Sequence, residues 1–415
     1  MTLIHRLWER LRRSEGVLIA LGCVLAAMLV VSMCTGYWPT RYNVYDSYTR
    51  QAEAWLNGTL YLPDGEWLEW LELAIYQDRY YVSFPPFPSY VLLPFVAVFG
   101  RGGFAEGWIA LAFALAGVVY ACRLYRAVCG DERHMLLFVL YLMLSNGWLF
   151  LAVNGWVWFF AQNMCFTLSL MALYYAWQGR GGWSMALWAC AVGCRPMVVL
   201  YLPLLLWLLI KALRRRDPAI SVLRMVLSHL YWGIPPLVIG GSYMALNYMR
   251  FGDVLEFGHN YLPEFTRLET GQFSLTYFAQ NFASILRLPI WNGNQAPVGL
   301  YGVECMAFWM VNPIFVTAGA AWMHALLSRR RGYGATLVML PLMVAAHLVF
   351  LCCHHTMGGQ QFGNRYLVDM LPYVFLGLLV WMPRGERFAR WTLPLLCFGA
   401  ALNLMGTVMS YNFWI

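Results

Sequence analysis

The chain is poor in charge. Of its 415 residues only 12% are Asp, Glu, Lys or Arg, while 61% are apolar. Water-soluble domains carry roughly a quarter charged residues, so a free globular enzyme is excluded. The chain lacks a long polar block from which a separate soluble domain could be built, and it shows no internal repeat of the kind found in many transporters. It has no glycine-rich phosphate loop, which argues against a nucleotide-binding site. Its 11 cysteines fall mostly inside apolar stretches, where they act as packing residues rather than a disulfide framework. The net charge of +8 comes from short basic clusters at the ends of apolar runs, so it is an orientation signal and no sign of nucleic acid.

What the chain has instead is a series of apolar stretches of about 20 residues. The first, "GVLIALGCVLAAMLVVSMCT", follows "HRLWERLRR" and is not followed by an A-x-A-like site, so it reads as a retained signal anchor. The basic clusters are Arg6, Arg10, Arg12 and Arg13; Lys211, Arg214, Arg215 and Arg216; Arg329, Arg330 and Arg331; Arg384 and Arg387. Placing them in the cytoplasm gives further spans near 89–100, 104–122, 135–153, 156–178, 183–210, 226–248, 301–327, 335–353, 366–382 and 391–412. The expectation is an all-α polytopic membrane protein of about 11 transmembrane helices, within a range of 10–12, forming one membrane-embedded domain over 1–415. Two long loops, 36–88 and 249–300, then face outward. Two features strain this layout: 89–100 is short for a crossing, and Arg123, Arg126 and Arg133 fall outside against the positive-inside rule. A re-entrant 89–100, balanced by a break at Arg195 and Pro196 within 183–210, would repair both.

The first loop is more structured than a tether requires. "YDSYTRQAEAWLNG" has helical spacing over 46–57, with Gly58 placed to end the helix. "EWLEWLELA" puts Trp67, Leu68, Leu71 and Ala74 on one face, which suits an interfacial helix. "AIYQDRYYV" reads as two short strands about Gln77 and Asp78. "SFPPFP" forces an extended entry to the next segment.

Several polar residues stand out against this background. Asp46 begins the first-loop helix, either as an N-cap with Arg50 as its partner one turn on, or as a general base at the membrane surface. Arg365 and Asp369 in "GGQQFGNRYLVDMLP" are spaced to pair across one turn, either as a structural salt bridge or with Arg365 turned toward a phosphate. Arg195 lies inside an apolar segment, where an ionisable residue is functional by default, although Pro196 frees a carbonyl it can satisfy. His259, Glu264, Arg267 and Arg287 in the second loop suit a sugar or a phosphate, or are simply solvated. "CCHH" at 352–355 cannot converge on one ion from a helix, so no metal site is expected.

"YDSYTRQAEAWLNGTLYL", "LAIYQDRYYVSFPPFPSYVLLPFVAVFG", "CRPMVVLYLPLLL", "NYMRFGDVLEFGHNY" and "GGQQFGNRYLVDMLP" occur in an order that resembles one group of proteins. The chain is similar, over nearly its whole length, to the GT-C superfamily of membrane glycosyltransferases, which includes protein O-mannosyltransferases and the aminoarabinose transferase of lipid A. The resemblance implies a sugar donor on a polyprenyl phosphate, transferred at the outer face of the membrane to a glycan, lipid or protein acceptor with inversion. It makes Asp46 the general base, with Ser47 where the superfamily often has a second acid, so that Asp46 acts alone or with Glu53. Pro85 and Pro86 match the superfamily's "PP" element, with Phe84 where a basic residue often precedes it. Arg365, Asp369, Arg195, Glu53, Tyr81, Pro85 and Pro86 are thus the expected substrate- and phosphate-binding positions. No cofactor is required by this chemistry, and a divalent metal is possible without being indicated. The expected location is the plasma (inner) membrane, with the N-terminus cytoplasmic. A transporter or flippase of a lipid-linked or polar solute, or a non-catalytic envelope-assembly protein of the same fold, are the alternatives.

Overall fold

A computed structural model describes residues 3–291, 300–301, 306–328, 334–359, 361–383 and 385–413; the basic residues Arg329, Arg330, Arg331 and Arg384 lie outside them. In chain order the helices begin with α1 (Leu3–Thr35) and α2 (Ser47–Leu56), followed by a hairpin of β1 (Leu73–Tyr76) and β2 (Arg79–Val82). Next come α3 (Phe87–Phe99), α4 (Gly107–Cys129), α5 (Met135–Leu144), α6 (Trp148–Ala152), α7 (Val157–Trp177) and α8 (Gly181–Val192). They are followed by α9 (Leu202–Arg216), α10 (Val222–His229), α11 (Ile234–Phe251), α12 (Pro263–Thr266) and α13 (Phe278–Leu286). A two-residue pair, β3 (Ile290–Trp291) with β4 (Leu300–Tyr301), precedes α14 (Phe308–Val311), α15 (Ile314–Leu327), α16 (Gly334–Cys352), α17 (Leu371–Trp381) and α18 (Glu386–Tyr411). Among the described residues six helices are long and apolar enough to cross a membrane: Ser14–Thr35, Gly107–Cys129, Val157–Trp177, Pro196–Arg216, Gly334–Cys352 and Glu386–Tyr411. Four shorter apolar helices, α3, α5, α8 and α15, accompany them.

The bundle is organised around α7. Its sequence is apolar on every side, which demands burial on every side. Of its most apolar stretch 83% is buried, against 28% for α1, α16 and α18. Several of its polar side chains are paired inside the core: Asn163 donates to the Ala110 carbonyl at 2.8 Å, Thr167 to the Phe113 carbonyl at 2.9 Å, and Ser169 accepts from the Tyr373 hydroxyl at 3.2 Å. Burying such groups unpaired would cost about 1–3 kcal/mol each.

Two segments expected to cross do otherwise. The 183–210 segment breaks after α8, and a 3₁₀ run, Pro196–Tyr201, leads back into α9. At the far end of α9 the Arg216 guanidinium donates to the Gln178 carbonyl just beyond α7, near where α8 begins, so α8 and α9 form a helical hairpin. The tip of that hairpin meets the start of α3, where the Phe87 N–H donates to the Gly193 carbonyl at 3.0 Å. A side chain at Gly193 would strike the Tyr243 hydroxyl, which is why the tip needs glycine. The other departure is α3, which is only 13 residues long and stays at the end of the bundle that carries the loops. Ser89 of α3 donates to the Tyr48 carbonyl and to Gln51, and beyond α3 Arg101 pairs with Glu53. The chain then enters α4 from that same end. As a result Arg126 pairs with Glu132, and Arg133 with Glu386, at the opposite end, where Met135 meets Gly16 of α1. Arg123, Arg126 and Arg133 thus stand toward the end of the bundle opposite the first loop, not beside it.

The first loop folds largely as expected. Gly58 (φ +77°) ends α2, with the Thr59 N–H donating to the Ala54 carbonyl and the Gly58 N–H to the Trp55 carbonyl. Gln77 and Asp78 both take positive φ, as a two-residue type I′ hairpin turn requires. The expected interfacial helix at "EWLEWLELA" is replaced by two single 3₁₀ turns, Gly65–Trp67 and Glu69–Leu71. Leu68 and Leu71 are drawn into a small core with Ala54, Leu62 and Val82, while Trp67 is left exposed. Tertiary burial here outweighs helical periodicity.

With an impermeant maleimide, a cysteine at Gly102 is expected to react in intact cells and one at Arg133 only after permeabilisation. The reverse pattern would restore a crossing by α3.

Candidate active site

Asp46 stands at the N-cap position of α2, yet its side chain makes no capping hydrogen bond. Its Oδ1 accepts from Arg50 Nε at 2.7 Å and its Oδ2 from the Tyr42 hydroxyl at 2.6 Å. The expected Arg50 pairing is present, and Arg50 also reaches Asp64 at 3.1 Å. A carboxylate 1% exposed and already paired is held in place by these donors rather than by the helix start.

A second buried acid lies beside it, and the sequence reading missed it. Glu106 immediately precedes α4 and accepts hydrogen bonds from Asn43 and Thr49, both of the Asp46 segment. Burial pushes the Glu106 carboxyl up to about 8, with the Asp46 charge adding to the rise and the Thr49 and Asn43 bonds opposing it. The signal was an acid at the head of the apolar run 104–122, a placement that calls for a role. Glycines bring the strands of chain together here. A Cβ on Gly107 would strike the Pro39 backbone, and one on Gly155 would strike the Gly107 backbone.

The cationic residues form a second group. Arg195, at the tip of the α8–α9 hairpin, donates from Nε to Asp369 Oδ2 at 2.9 Å. Gln162 of α7 donates to Asp369 Oδ1 at 3.1 Å and to the Arg365 carbonyl at 3.2 Å. The expected Arg365–Asp369 pair is therefore not the one formed: residues Arg365–Met370 are a 3₁₀ run rather than an α-turn, and Arg195 takes the carboxylate. Arg365 is instead 6% exposed, and its guanidinium lies 5.3–5.6 Å from the ring centres of Trp158, Phe159 and Tyr366. Its Nε has no hydrogen-bond partner among the described residues.

Aromatic residues separate and connect the two groups. Tyr45, next to Asp46, has its ring 5.0 Å from both Trp156 and Trp158, and its carbonyl accepts from the Val157 N–H that begins α7. Trp158 in turn donates to Glu72 at 2.9 Å, a residue held at φ +54°, which costs a non-glycine residue about 1–2 kcal/mol. Among the described residues no ion pair joins Asp46 to Arg195 or Arg365.

The remaining expected positions have other roles. Glu53 pairs with Arg101 at 3.3 Å, half exposed and away from Asp46. Tyr81 is buried against Phe251, its ring centre 5.2 Å away, and joins the hairpin to α11. Pro85 and Pro86 carry the chain from the hairpin into α3, Pro86 being its N-cap. In the second loop Glu264, Arg267 and Arg287 are exposed. Burial and the neighbouring His354 push the His259 imidazole down to about 4, so it is neutral. His354 and His355 of "CCHH" stitch α16 to that loop, through Gln272 side-chain and backbone contacts. Among the described residues no three His, Cys, Asp or Glu side chains are grouped to hold a metal ion.

With this geometry in hand the chain can be compared with known proteins. No family model matches the sequence, and no curated protein matches it. Among solved structures, ArnT from Cupriavidus metallidurans bound to undecaprenyl phosphate superposes with a TM-score of 0.51 over 96% of this chain and 76% of that one, at 15% identity. The chain has the GT-C fold. The apo state of the same ArnT gives a TM-score of 0.49 at 15% identity, over 94% of this chain and 75% of that one. The apo oligosaccharyltransferase of Archaeoglobus fulgidus gives 0.46 at 12% identity, over 94% and 56%.

The Glu106 shift makes stability depend on pH. Its folded value is raised above the unfolded 4.5, so the native state binds the extra proton and stability falls as pH rises from about 4.5 to about 8. Glu106→Gln is expected to flatten that slope, at most ~1.4 kcal/mol per pH unit, in thermal unfolding between pH 5 and 9. An unchanged slope would place the titration elsewhere.

Proposed function

We propose that this chain is a membrane glycosyltransferase that takes a sugar from a polyprenyl-phosphate donor and transfers it to an acceptor of the cell envelope, a glycan, lipid or protein. The observation that carries the reading is Arg365, a buried guanidinium on three aromatic rings whose Nε has no acceptor among the described residues. A charge buried in this way is costly unless an anion meets it, and a phosphate supplies both the charge and the acceptor oxygens. The ArnT structure of the same fold holds undecaprenyl phosphate. A lipid phosphate of that class would meet Arg365, with Arg195 close by and held in place by Asp369.

In this reading Asp46 is the general base. The acceptor oxygen attacks the anomeric carbon, the bond from that carbon to the phosphate oxygen breaks, and the phosphate leaves with the electron pair. The acceptor proton passes to Asp46, whose carboxylate is oriented by its Tyr42 and Arg50 partners. One displacement inverts the anomeric centre. Arg365 stabilises the charge that develops on the departing phosphate. Glu106, protonated at neutral pH beside Asp46, supplies the second acid that Ser47 does not. In this reading the chain crosses the membrane about eleven times, with α3 at the outer surface.

Asp46→Asn should lower transfer at least 100-fold with normal insertion, matching the usual worth of a general base. Arg365→Ala should raise the donor KM by roughly 10- to 100-fold, the value of one charge-assisted contact, with little change in acceptor KM. The measurement is initial-rate kinetics in reconstituted membranes. Full activity of the Asp46 variant would remove the base, and an unchanged donor KM would remove Arg365 from the phosphate.

A further inference from the structure

A cavity of about 260 Å³ has Tyr45 in its wall. Its walls include Trp38, Tyr42, Asn43, Tyr45, Asn154 and Trp156. Two of these belong to the acid pair: the Tyr42 hydroxyl donates to Asp46, and the Asn43 amide donates to Glu106. The Asn43 side-chain carbonyl is buried and has no partner among the described residues. The rings are set in place by their neighbours: Trp156 packs against Tyr45 at 5.0 Å, Tyr37 at 5.6 Å and Phe159 at 5.5 Å. Trp38 and Tyr42 remain substantially exposed, at 42% and 49%.

This combination has a definite chemical preference. Broad aromatic faces offer stacking surface to the apolar face of a pyranose ring, while the exposed Tyr42 phenol, whose proton goes to Asp46, keeps oxygen lone pairs that accept from a sugar hydroxyl. The volume suits one sugar ring rather than an extended chain. Among the described residues the lining has no carboxylate, and its one cation, Arg41, lies 4.3 Å over the Tyr37 ring, so an isolated charged group gains little. The cavity and Arg365 flank the same wall, since Tyr45 lines the first and meets Trp158, on which Arg365 rests.

We infer that this cavity is the acceptor subsite and that the acceptor is a carbohydrate, presenting one pyranose ring between Trp38, Tyr42 and Trp156 with a hydroxyl toward the Tyr42 oxygen that partners Asp46. The assignment rests on the proposed glycosyltransferase activity and deepens it. A hydroxyl held at Tyr42 lies next to the proposed base.

The test is photoaffinity labelling of the full-length chain in lipid nanodiscs with a diazirine-bearing alkyl pyranoside, mapped by mass spectrometry. Label is expected within 37–45 and 154–156, displaced by the unmodified pyranoside. Val44→Trp, which projects from an exposed position on the rim into the cavity, should reduce that label at least fivefold. Trp38→Ala should weaken displacement at least fivefold. Neither variant should change binding of undecaprenyl phosphate, measured separately, whereas Arg365→Ala should weaken it and leave the label in place. Label confined to other segments, label indifferent to both variants, or better displacement by a serine-containing peptide than by the pyranoside would overturn the carbohydrate subsite. Loss of lipid-phosphate binding dependence on Arg365, with labelling intact, would overturn the donor reading alone.

Discussion

The contact on which the rest depends is the Asp369 carboxylate held between Arg195 and Gln162. It is 2% exposed, so neither charge of the pair can be left alone without a cost of several kcal/mol. Asp369 comes from the 3₁₀ entry to α17, Arg195 from the tip of the α8–α9 hairpin, and Gln162 from the buried α7. One carboxylate therefore ties three separate parts of the bundle at one depth. Because Asp369 is taken by Arg195, Arg365 is left to turn toward the aromatic surface at the start of α7.

The same region shows how a membrane fold builds polar chemistry. The α7 core is buried, and Asn163, Thr167 and Ser169 are hydrogen-bonded within it, so it serves as a fixed reference. Irregular backbone gathers at the loop end of the bundle: the break at Gly193, the 3₁₀ run Arg365–Met370, and Glu72 at positive φ. Non-helical chain is tolerated at such a place only where protein or water can satisfy its backbone groups. Here it brings Arg195 to Asp369 and Arg365 to the Trp158 ring, while Asp46 and Glu106 are held by residues of the Tyr42–Arg50 segment.

Much of this was legible in the sequence. The α2 helix, its Gly58 stop, the Gln77–Asp78 hairpin and the break at Arg195 follow from rules that act over a few residues, and all are present. Asp46 and Arg50 pair as helical spacing requires. The reading went astray where local pattern competed with burial. "EWLEWLELA" has a helical period, but Leu68 and Leu71 are worth more inside a small core than on an interfacial helix, and the segment winds into two 3₁₀ turns. Glu53 and Tyr81 were positions implied by the resemblance; in the fold Glu53 pairs with Arg101 and Tyr81 packs against Phe251.

The sequence by itself determined a polytopic helical membrane protein, since about 20 apolar residues in succession admit few other solutions, and it determined that Asp46, Arg195 and Arg365 needed an explanation. Only the tertiary structure decided who meets whom. Asp369 reaches across 174 residues to Arg195 rather than one turn back to Arg365, and Glu106 comes to the Asp46 segment from 57 residues beyond Thr49. No periodicity encodes such contacts. They arise because buried charges must be paired, and in a packed bundle the partner that can reach is set by how the helices cross, not by where residues stand along the chain.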